Sequence, residues 1–312
     1  MEPLYKNLNI ASYSELFGLE GRFICALCKS SRKFFCYKCC VVNPEFESIV
    51  PKIQLPVKVD IIKHYQEVIG KSTSPHAKII APDDASIYIY PDIPDYSQEE
   101  GEVVLVFPSS KSVSISSLFK GSKIDYKKNH GLTHGYSIPT MLTRNLDEVI
   151  SKEESDDDQP TKQYSLDNLP FKRVVFIDST WKQSRSIYKD PRISSMKSCV
   201  IQNRVTKFWR HQKGSPDWYL STIEAIHSFL LEFHINAFGI SKKYYEEMLG
   251  DLELDATFIS PSQIITDESD SDADSLCTPY KGQYDNILFF FAFFHTLINT
   301  LENKNRRVSK TE

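Results

Sequence analysis

Three stretches of this 312-residue chain carry side chains whose types and spacing can do chemistry. The first is Cys25-x-x-Cys28 followed by Cys36-x-x-Cys39. Each C-x-x-C lets two thiolates face one ion, and two such knuckles complete a tetrahedral four-sulfur shell, the pattern of structural zinc. Four thiolates leave no open position for water, so the role of such a site is folding. Lys29, Arg32, Lys33 and Lys38 would offset its negative charge. Cys40 competes with Cys39 as fourth ligand, and a redox pair or unligated buried thiols are the alternatives. The second stretch, Asp178-Ser179-Thr180-Trp181-Lys182-Gln183-Ser184-Arg185, follows the apolar run Val174-Val175-Phe176-Ile177. It brings a carboxylate, hydroxyls, an indole and two cations to the end of a strand, where open α/β sheets bind ligands. An Asp that merely caps a helix before a buried Trp is the plainer alternative. The third, Lys207-Phe208-Trp209-Arg210-His211-Gln212-Lys213, interleaves bases with aromatics. Such a segment can pair with phosphates and stack on an unpaired base, or be a solvated basic loop.

The surrounding pattern says what positions these residues. Val103-Val104-Leu105-Val106-Phe107 and Val174-Val175-Phe176-Ile177 are continuous β-branched runs, as in strands buried on both faces, and Ser198 to Asn203 is a weaker third case. Alternation with helical stretches predicts an α/β sheet flanked by helices. Pro108 and Ser109 then form a loop beside the Asp178 turn. Further short strands are expected at Val57 to Ile62, Lys78 to Ile80 and Ile87 to Tyr90. Ser221-Thr222-Ile223-Glu224 is a capping box, and Ile223, Ile226, Leu230 and Phe233 continue it as one apolar stripe. Free backbone N–H groups at that helix start would seat a carboxylate, although capping alone accounts for Ser221 and Glu224.

Composition bounds the rest. The formal charge is −4, but 151–160 and 267–274 each hold five acids. Setting both runs aside leaves 36 basic against 31 acidic residues, about +5, as suits a phosphate-binding body. The N-terminus has no secretory pattern, and the most apolar run, Ile287 to Phe294, is far short of the roughly 20 residues a bilayer span needs. It reads as a buried core helix. The chain divides into a loose lead-in (1–21), a zinc-ribbon-like module (22–42), a main domain (43–302) with solvated acidic insertions near 145–168 and 241–276, and a basic tail (303–312).

Asp178-Ser179-Thr180-Trp181 is a D-x-T-W signature. With Ser221-Thr222-Ile223-Glu224-Ala225, the two knuckles, Phe107-Pro108 and Pro191-Arg192, the chain resembles the DTW-domain family of tRNA-uridine aminocarboxypropyltransferases. Phe208-Trp209-Arg210-His211-Gln212-Lys213-Gly214 and Gly282-Gln283-Tyr284-Asp285-Asn286 resemble its eukaryotic D-loop-modifying subgroup. The resemblance implies a sheet related to the knotted SPOUT methyltransferases, S-adenosylmethionine as donor, tRNA as partner, and 3-(3-amino-3-carboxypropyl)uridine as product. On that reading Asp178, Thr180 and Trp181 are the catalytic candidates, Asp178 as base or as a ligand of donor ribose or ammonium. Pro108, Ser109, Ser179, Ser221, Thr222 and Glu224 are donor-binding candidates. Lys182, Arg185, Lys207, Trp209, Arg210, His211 and Lys213 are RNA-binding candidates. The subgroup implies a nuclear location, with the cytoplasm as a second compartment. The rivals are a SPOUT-type RNA methyltransferase and a zinc-ribbon RNA-binding protein without activity.

Overall fold

The structure is a computed structural model and describes residues 3–68, 70–99, 101–119, 164–201, 204–210, 219–252, 259–266 and 276–308. Two short strands, β1 (Phe23–Ile24) and β2 (Ser31–Arg32), form an antiparallel hairpin in the cysteine module. The main domain then runs β3 (Lys58–His64), α1 (Ser74–Ile80), β4 (Ala85–Tyr90), β5 (Val103–Val106), β6 (Val113–Ser114) and α2 (Ile115–Phe119). After 120–163 come β7 (Arg173–Asp178), α3 (Trp181–Tyr188), α4 (Pro191–Ser194), β8 (Lys197–Val200) and α5 (Thr222–Phe238). The chain ends with β9 (Ile240–Ser241), α6 (Lys242–Leu252), β10 (Ile264–Ile265) and α7 (Phe289–Val308).

The expected α/β sheet is present. Six strands pair in the order β4-β3-β7-β5-β8-β6, every pairing parallel. Parallel strands need both faces covered, because their crossovers lay helices on them. Side chains alternate accordingly. Val59, Ile61, Val104, Val174 and Phe176 face one core, shared with α1, α2, α5 and α7. Ile62, Val103, Leu105 and Val175 face a smaller one with Ile187 of α3 and Ile193 of α4. Asp178 follows Val174 and Phe176 by two-residue steps, which turns it toward the α5 face. Because the sheet is parallel, the carboxyl ends of β3, β5, β7 and β8 share one edge.

Four expectations change. Lys78, Ile79 and Ile80 close helix α1 instead of forming a strand: Pro75 sits in its first turn and its apolar residues pack under α5 and α7. The lead-in is docked, not loose. Asn9 N–H donates to Asp285 Oδ2 at 2.7 Å, Ala11 N–H to Asn286 Oδ1 at 2.8 Å, and Tyr13 meets Phe289 and Phe293 edge-on. The region 241–276 is only partly a surface insertion, since α6 buries Tyr244 and Met248, four residues apart, and β10 pairs with β9. In 145–168 the described part, from Tyr164, is anchored by the Tyr164 hydroxyl donating to Phe119 O. The acidic runs themselves lie outside the described residues. So does the end of the basic tail, much of which continues α7 to Val308.

The apolar run does form a core helix: Phe289, Phe290, Phe291 and Phe293 are fully buried, each contributing about 1.5–3 kcal/mol by leaving water. Among the described residues no helix is long and apolar enough to cross a membrane. Beside α7, His234 of α5 is wholly buried, with Nε2–H donating to Thr278 O at 2.7 Å and Nδ1 accepting from Tyr284 O–H at 2.9 Å. Burial pushes its pKa down to about 4, against the opposing pull of the Thr278 carbonyl. The folded state therefore refuses a proton that the unfolded chain accepts below about pH 6.5, and this lowers stability as pH falls from there toward 4. Between pH 6.5 and 5 the loss is roughly 2 kcal/mol from this residue. Urea denaturation across that range should show a shallower acid loss in His234→Gln than in the wild type; parallel curves would contradict the assignment.

Candidate active site and metal centre

At the shared carboxyl edge, β7 delivers Asp178, which is only 5% exposed. Its Oδ2 accepts from the Ser72 hydroxyl at 2.5 Å and its Oδ1 from the Thr222 hydroxyl at 2.7 Å. Ser72 ends the loop that leaves β3, and Thr222 begins α5. The same loop and helix meet again where Thr73 Oγ1 accepts from Ile223 N–H at 3.1 Å. Asp178 is thus no helix cap. Thr180 takes that place on α3, its N–H and hydroxyl both donating to Gln183 Oε1. Among the described residues each Asp178 oxygen accepts one hydrogen bond, where a carboxylate oxygen can accept two.

Three further groups complete the surroundings. Lys63, the register partner of Asp178 on β3, is 7% exposed. Glu67 lies within the field of both: burial first, then the Asp178 charge, pushes its carboxyl pKa up, while Lys63 and Lys71 oppose this. Trp181 is half-buried, its ring centroid 4.3 Å from that of Tyr219 at 38°. Lys182 and Arg185 are exposed on α3, and Ser179 donates weakly to Thr180 O.

The remaining predicted residues separate. Ser109 belongs to a neighbouring hydroxyl cluster just past the end of β5, 2.8 Å from Ser112 and 3.0 Å from Ser198, which lies within β8. Pro108 is half-buried beside it, and Phe107 stacks on Tyr188 at 4.5 Å. Glu224 points inward: its carboxylate accepts from Ser221 N–H and Oγ–H, Thr206 Oγ1–H and Lys207 N–H. The seat expected at the start of α5 is therefore filled from within, since Ser221 and Ile223 N–H are both engaged. Arg210 Nη2 donates to Gly70 O at 2.8 Å, which ties the basic segment to the loop bearing Ser72. Trp209 packs against Phe291 and Phe294, so its ring serves the core more than a passing base. His211 and Lys213 lie outside the described residues.

Ser72, Thr73, Lys63, Glu67 and Tyr219 had no signal in local pattern. They are single polar or aromatic residues in loops or at a strand end, and their role arises only when the sheet brings distant segments together.

The four cysteines do converge. Sγ atoms of Cys25, Cys28, Cys36 and Cys39 lie within 4.8 Å of one another, with Cys28 and Cys36 at 3.5 Å. Four sulfurs about 2.3 Å from one ion would stand about 3.8 Å apart, so the set could hold a metal. The knuckles repeat one geometry: Lys29 N–H donates to Cys25 O and Cys40 N–H to Cys36 O, and both Lys29 and Cys40 have positive φ (57° and 55°). Cys40 therefore occupies the turn position that Lys29 fills in the first knuckle, and Cys39 is the fourth member. The crowding shows in acidity. Ser30 holds the Cys28 thiol down to about 6, while burial and then the neighbouring thiols push Cys39 up to about 12. A divalent cation would relieve that conflict.

The DTW domain matches residues 33–299. The chain belongs to the DTW domain family. It is similar to tRNA-uridine aminocarboxypropyltransferase 1 of Mus musculus, 38% identical over 98% of this chain and 87% of the mouse protein. The protein of that name from Homo sapiens is 37% identical over 95% of this chain and 84% of its own length. That of Xenopus laevis is 36% identical over 95% and 87%. No solved structure matches. In this DTW domain the signature acid is the residue that Ser72 and Thr222 clasp.

The clasp has a measurable signature. Hydrogen bonds to a charged group contribute about 1.5–3 kcal/mol. Ser72→Ala and Thr222→Ala should each destabilise the protein by about that much in urea unfolding, and by far less when Asp178 is already Ala. Additive losses would mean the hydroxyls stabilise something other than this carboxylate.

Proposed function

We propose that the chain is a tRNA-uridine aminocarboxypropyltransferase that takes its 3-amino-3-carboxypropyl group from S-adenosylmethionine and places it on N3 of a D-loop uridine. The observation carrying this reading is the clasped Asp178 carboxylate beside Trp181, in a DTW domain whose relatives bear that enzyme's name.

Uridine N3 attacks the methylene carbon bonded to the sulfonium. The N3–C bond forms, the C–S bond breaks, and its electron pair stays on sulfur, releasing neutral 5′-methylthioadenosine. The N3 proton must leave, and a fixed carboxylate is suited to take it. Asp178 has that role in our reading, its hydroxyl clasp holding the free lone pairs in one direction. Trp181, braced by Tyr219, offers a flat face to the extruded base, and Thr180 lies beside it. N3 is hydrogen-bonded in a base pair, so the uridine must be unpaired or flipped. With the start of α5 capped internally, Lys63 is the cation that can meet the donor carboxylate, and Ser221 and Thr222 shape that corner. Pro108, Ser109 and Ser179 line the neighbouring strand ends for the adenosine part. Lys182, Arg185, Lys207 and Arg210, with His211 and Lys213, meet tRNA phosphates. Cys25, Cys28, Cys36 and Cys39 hold a structural zinc. We place the enzyme in the nucleus, with the cytoplasm as its second compartment.

Incubation with S-adenosylmethionine and bulk tRNA, followed by nucleoside mass spectrometry, should yield 3-(3-amino-3-carboxypropyl)uridine and methylthioadenosine. A methylated uridine, or no donor turnover, would overturn the assignment. Asp178→Asn should retain tRNA binding and lose transfer by about 100-fold or more, the scale of a lost general base; wild-type turnover would remove Asp178 from that role. Metal analysis of purified protein should find one zinc per chain, lost together with thermal stability in the Cys25→Ser, Cys28→Ser double variant. A stable, metal-free wild type would refute the zinc site.

A further inference from the structure

The cysteine module presents a charged surface that the folding role does not require. Arg32 on β2 stands with its guanidinium carbon 5.9 Å from the ring centroid of Tyr37. Arg22, just before β1, is exposed but held: its Nε donates to Ser31 Oγ at 2.9 Å and its Nη2 to Ser31 O at 3.0 Å. Arg210 arrives from the basic segment after β8. Arg22 and Arg32 share the β1–β2 hairpin, where Phe23 pairs with Arg32, Trp209 beside Arg210 and Phe35 both pack on Phe294, and the Tyr37 ring is braced edge-on by Phe35 at 4.7 Å.

Among the described residues no carboxylate forms an ion pair with Arg22, Arg32 or Arg210. The Nε of Arg32 is buried without a hydrogen-bond partner. Neighbouring cations repel each other, and an anion seated among them would turn that cost into attraction. Guanidinium groups suit phosphate, which they can meet with two parallel N–H bonds.

The cluster also has an address. Arg210 donates to Gly70 O in the loop that ends at Ser72, and Ser72 touches Asp178. Phe35 packs edge-on against His76 at 5.6 Å, in the helix that follows that loop. The module thus borders the site along one loop.

We propose that Arg22, Arg32, Arg210 and Tyr37 form a phosphodiester-binding cluster, by which the cysteine module grips the tRNA backbone close to the nucleotide being modified. The proposal rests on tRNA being the substrate. The backbone supplies the anions, the guanidinium groups fix their place, and the Tyr37 O–H donates to a phosphate oxygen. This contact positions the nucleic acid and carries no base preference.

The test is tRNA binding without donor, measured over about 50–200 mM salt. Arg22→Gln is the primary variant, because Arg22 is exposed and outside the sulfur cluster; the Arg22→Gln, Arg32→Gln double variant is checked for metal content and thermal midpoint. Each lost phosphate contact should lower the salt slope by about 0.9. The Kd for tRNA should rise several-fold in Arg22→Gln, the KM for tRNA should rise with it, and kcat at saturating tRNA should hold. A wild-type Kd and salt slope in Arg22→Gln would overturn the proposal. So would a fall in kcat at unchanged tRNA affinity. Capture of an acidic peptide with no effect on tRNA would assign the cluster to a protein partner instead. Binding is read without donor, so a failed transfer reaction would sink the enzymatic reading while leaving this measurement to stand or fall alone.

Discussion

A carboxylate at the end of a buried parallel strand has few ways to stay there. Removing a charge from water is costly unless hydrogen bonds replace the hydration, and Asp178 obtains them from Ser72 and Thr222, 106 and 44 residues away in sequence. That requirement fixes more than one side chain. The loop after β3 must fold back over the sheet edge, and α5 must begin beside the end of β7. The strand's alternation then decides which layer is involved, since Asp178 shares the face of Val174 and Phe176. Much of the site's geometry follows from satisfying this one acid.

The same device recurs deeper in that layer. Asp285 is fully buried, and it accepts from Tyr280 at 2.8 Å, from Tyr244, from Asn9 N–H and from His227 at 3.1 Å. Burial alone would push its carboxyl pKa up; the His227 bond and charge, with Tyr244 and Asn9, hold it below its ordinary value. Gly282 makes this possible: its φ of +97° suits glycine, and a Cβ there would stand 2.8 Å from the Asp285 carboxylate and 2.7 Å from Asn9. Helix α5 serves both acids. Thr222 at its start holds Asp178, and His227, little more than one turn on, holds Asp285. The lead-in, α6 and α7 are thus tied through one helix to the site.

What could be read from the amino acids divides along the range of the interactions. The Asp178 turn, the Ser221 capping box and the cysteine knuckles were legible because strand, cap and ligand spacing are encoded within a few residues. Lys78-Ile79-Ile80 misled because three apolar residues fit a strand or a helix, and the earlier Pro75 decides only in context. The docked lead-in was hidden because its partners, Asp285 and Phe289, stand near the other end of the chain. Helix α6 was hidden by its acidic neighbourhood, which masked Tyr244 and Met248. Ser72 and Lys63 were illegible for the strongest reason: a lone hydroxyl or ammonium means nothing until the sheet supplies its neighbour. Glu224 and Trp209 show the reverse, since pattern alone does not reveal the hydrogen bonds and ring contacts that each makes inside the protein.

The arginines of the cysteine module raise a question of stability that the metal centre can answer. Four thiolates around one divalent ion leave a net charge of −2 in a site that excludes water. Burial opposes ionisation of the Cys36 thiol, but the backbone N–H groups of Cys39 and Lys38, and then Arg32, hold it below its ordinary value. Such a centre would attract guanidinium groups and lower the cost of holding them together without carboxylates. Carboxylates in that place would neutralise the surface toward solvent, whereas buried sulfurs balance the charge from beneath and leave the outer N–H groups available. A metal site of this kind would therefore do two things with one set of charges: it would close the fold of a small module that lacks an extensive core, and let that module present arginines that, among the described residues, have no carboxylate partner, next to the loop that carries Ser72. The overall charge of −4 gives no hint of this, because recognition of a phosphate backbone depends on where the cations stand and on what lies behind them.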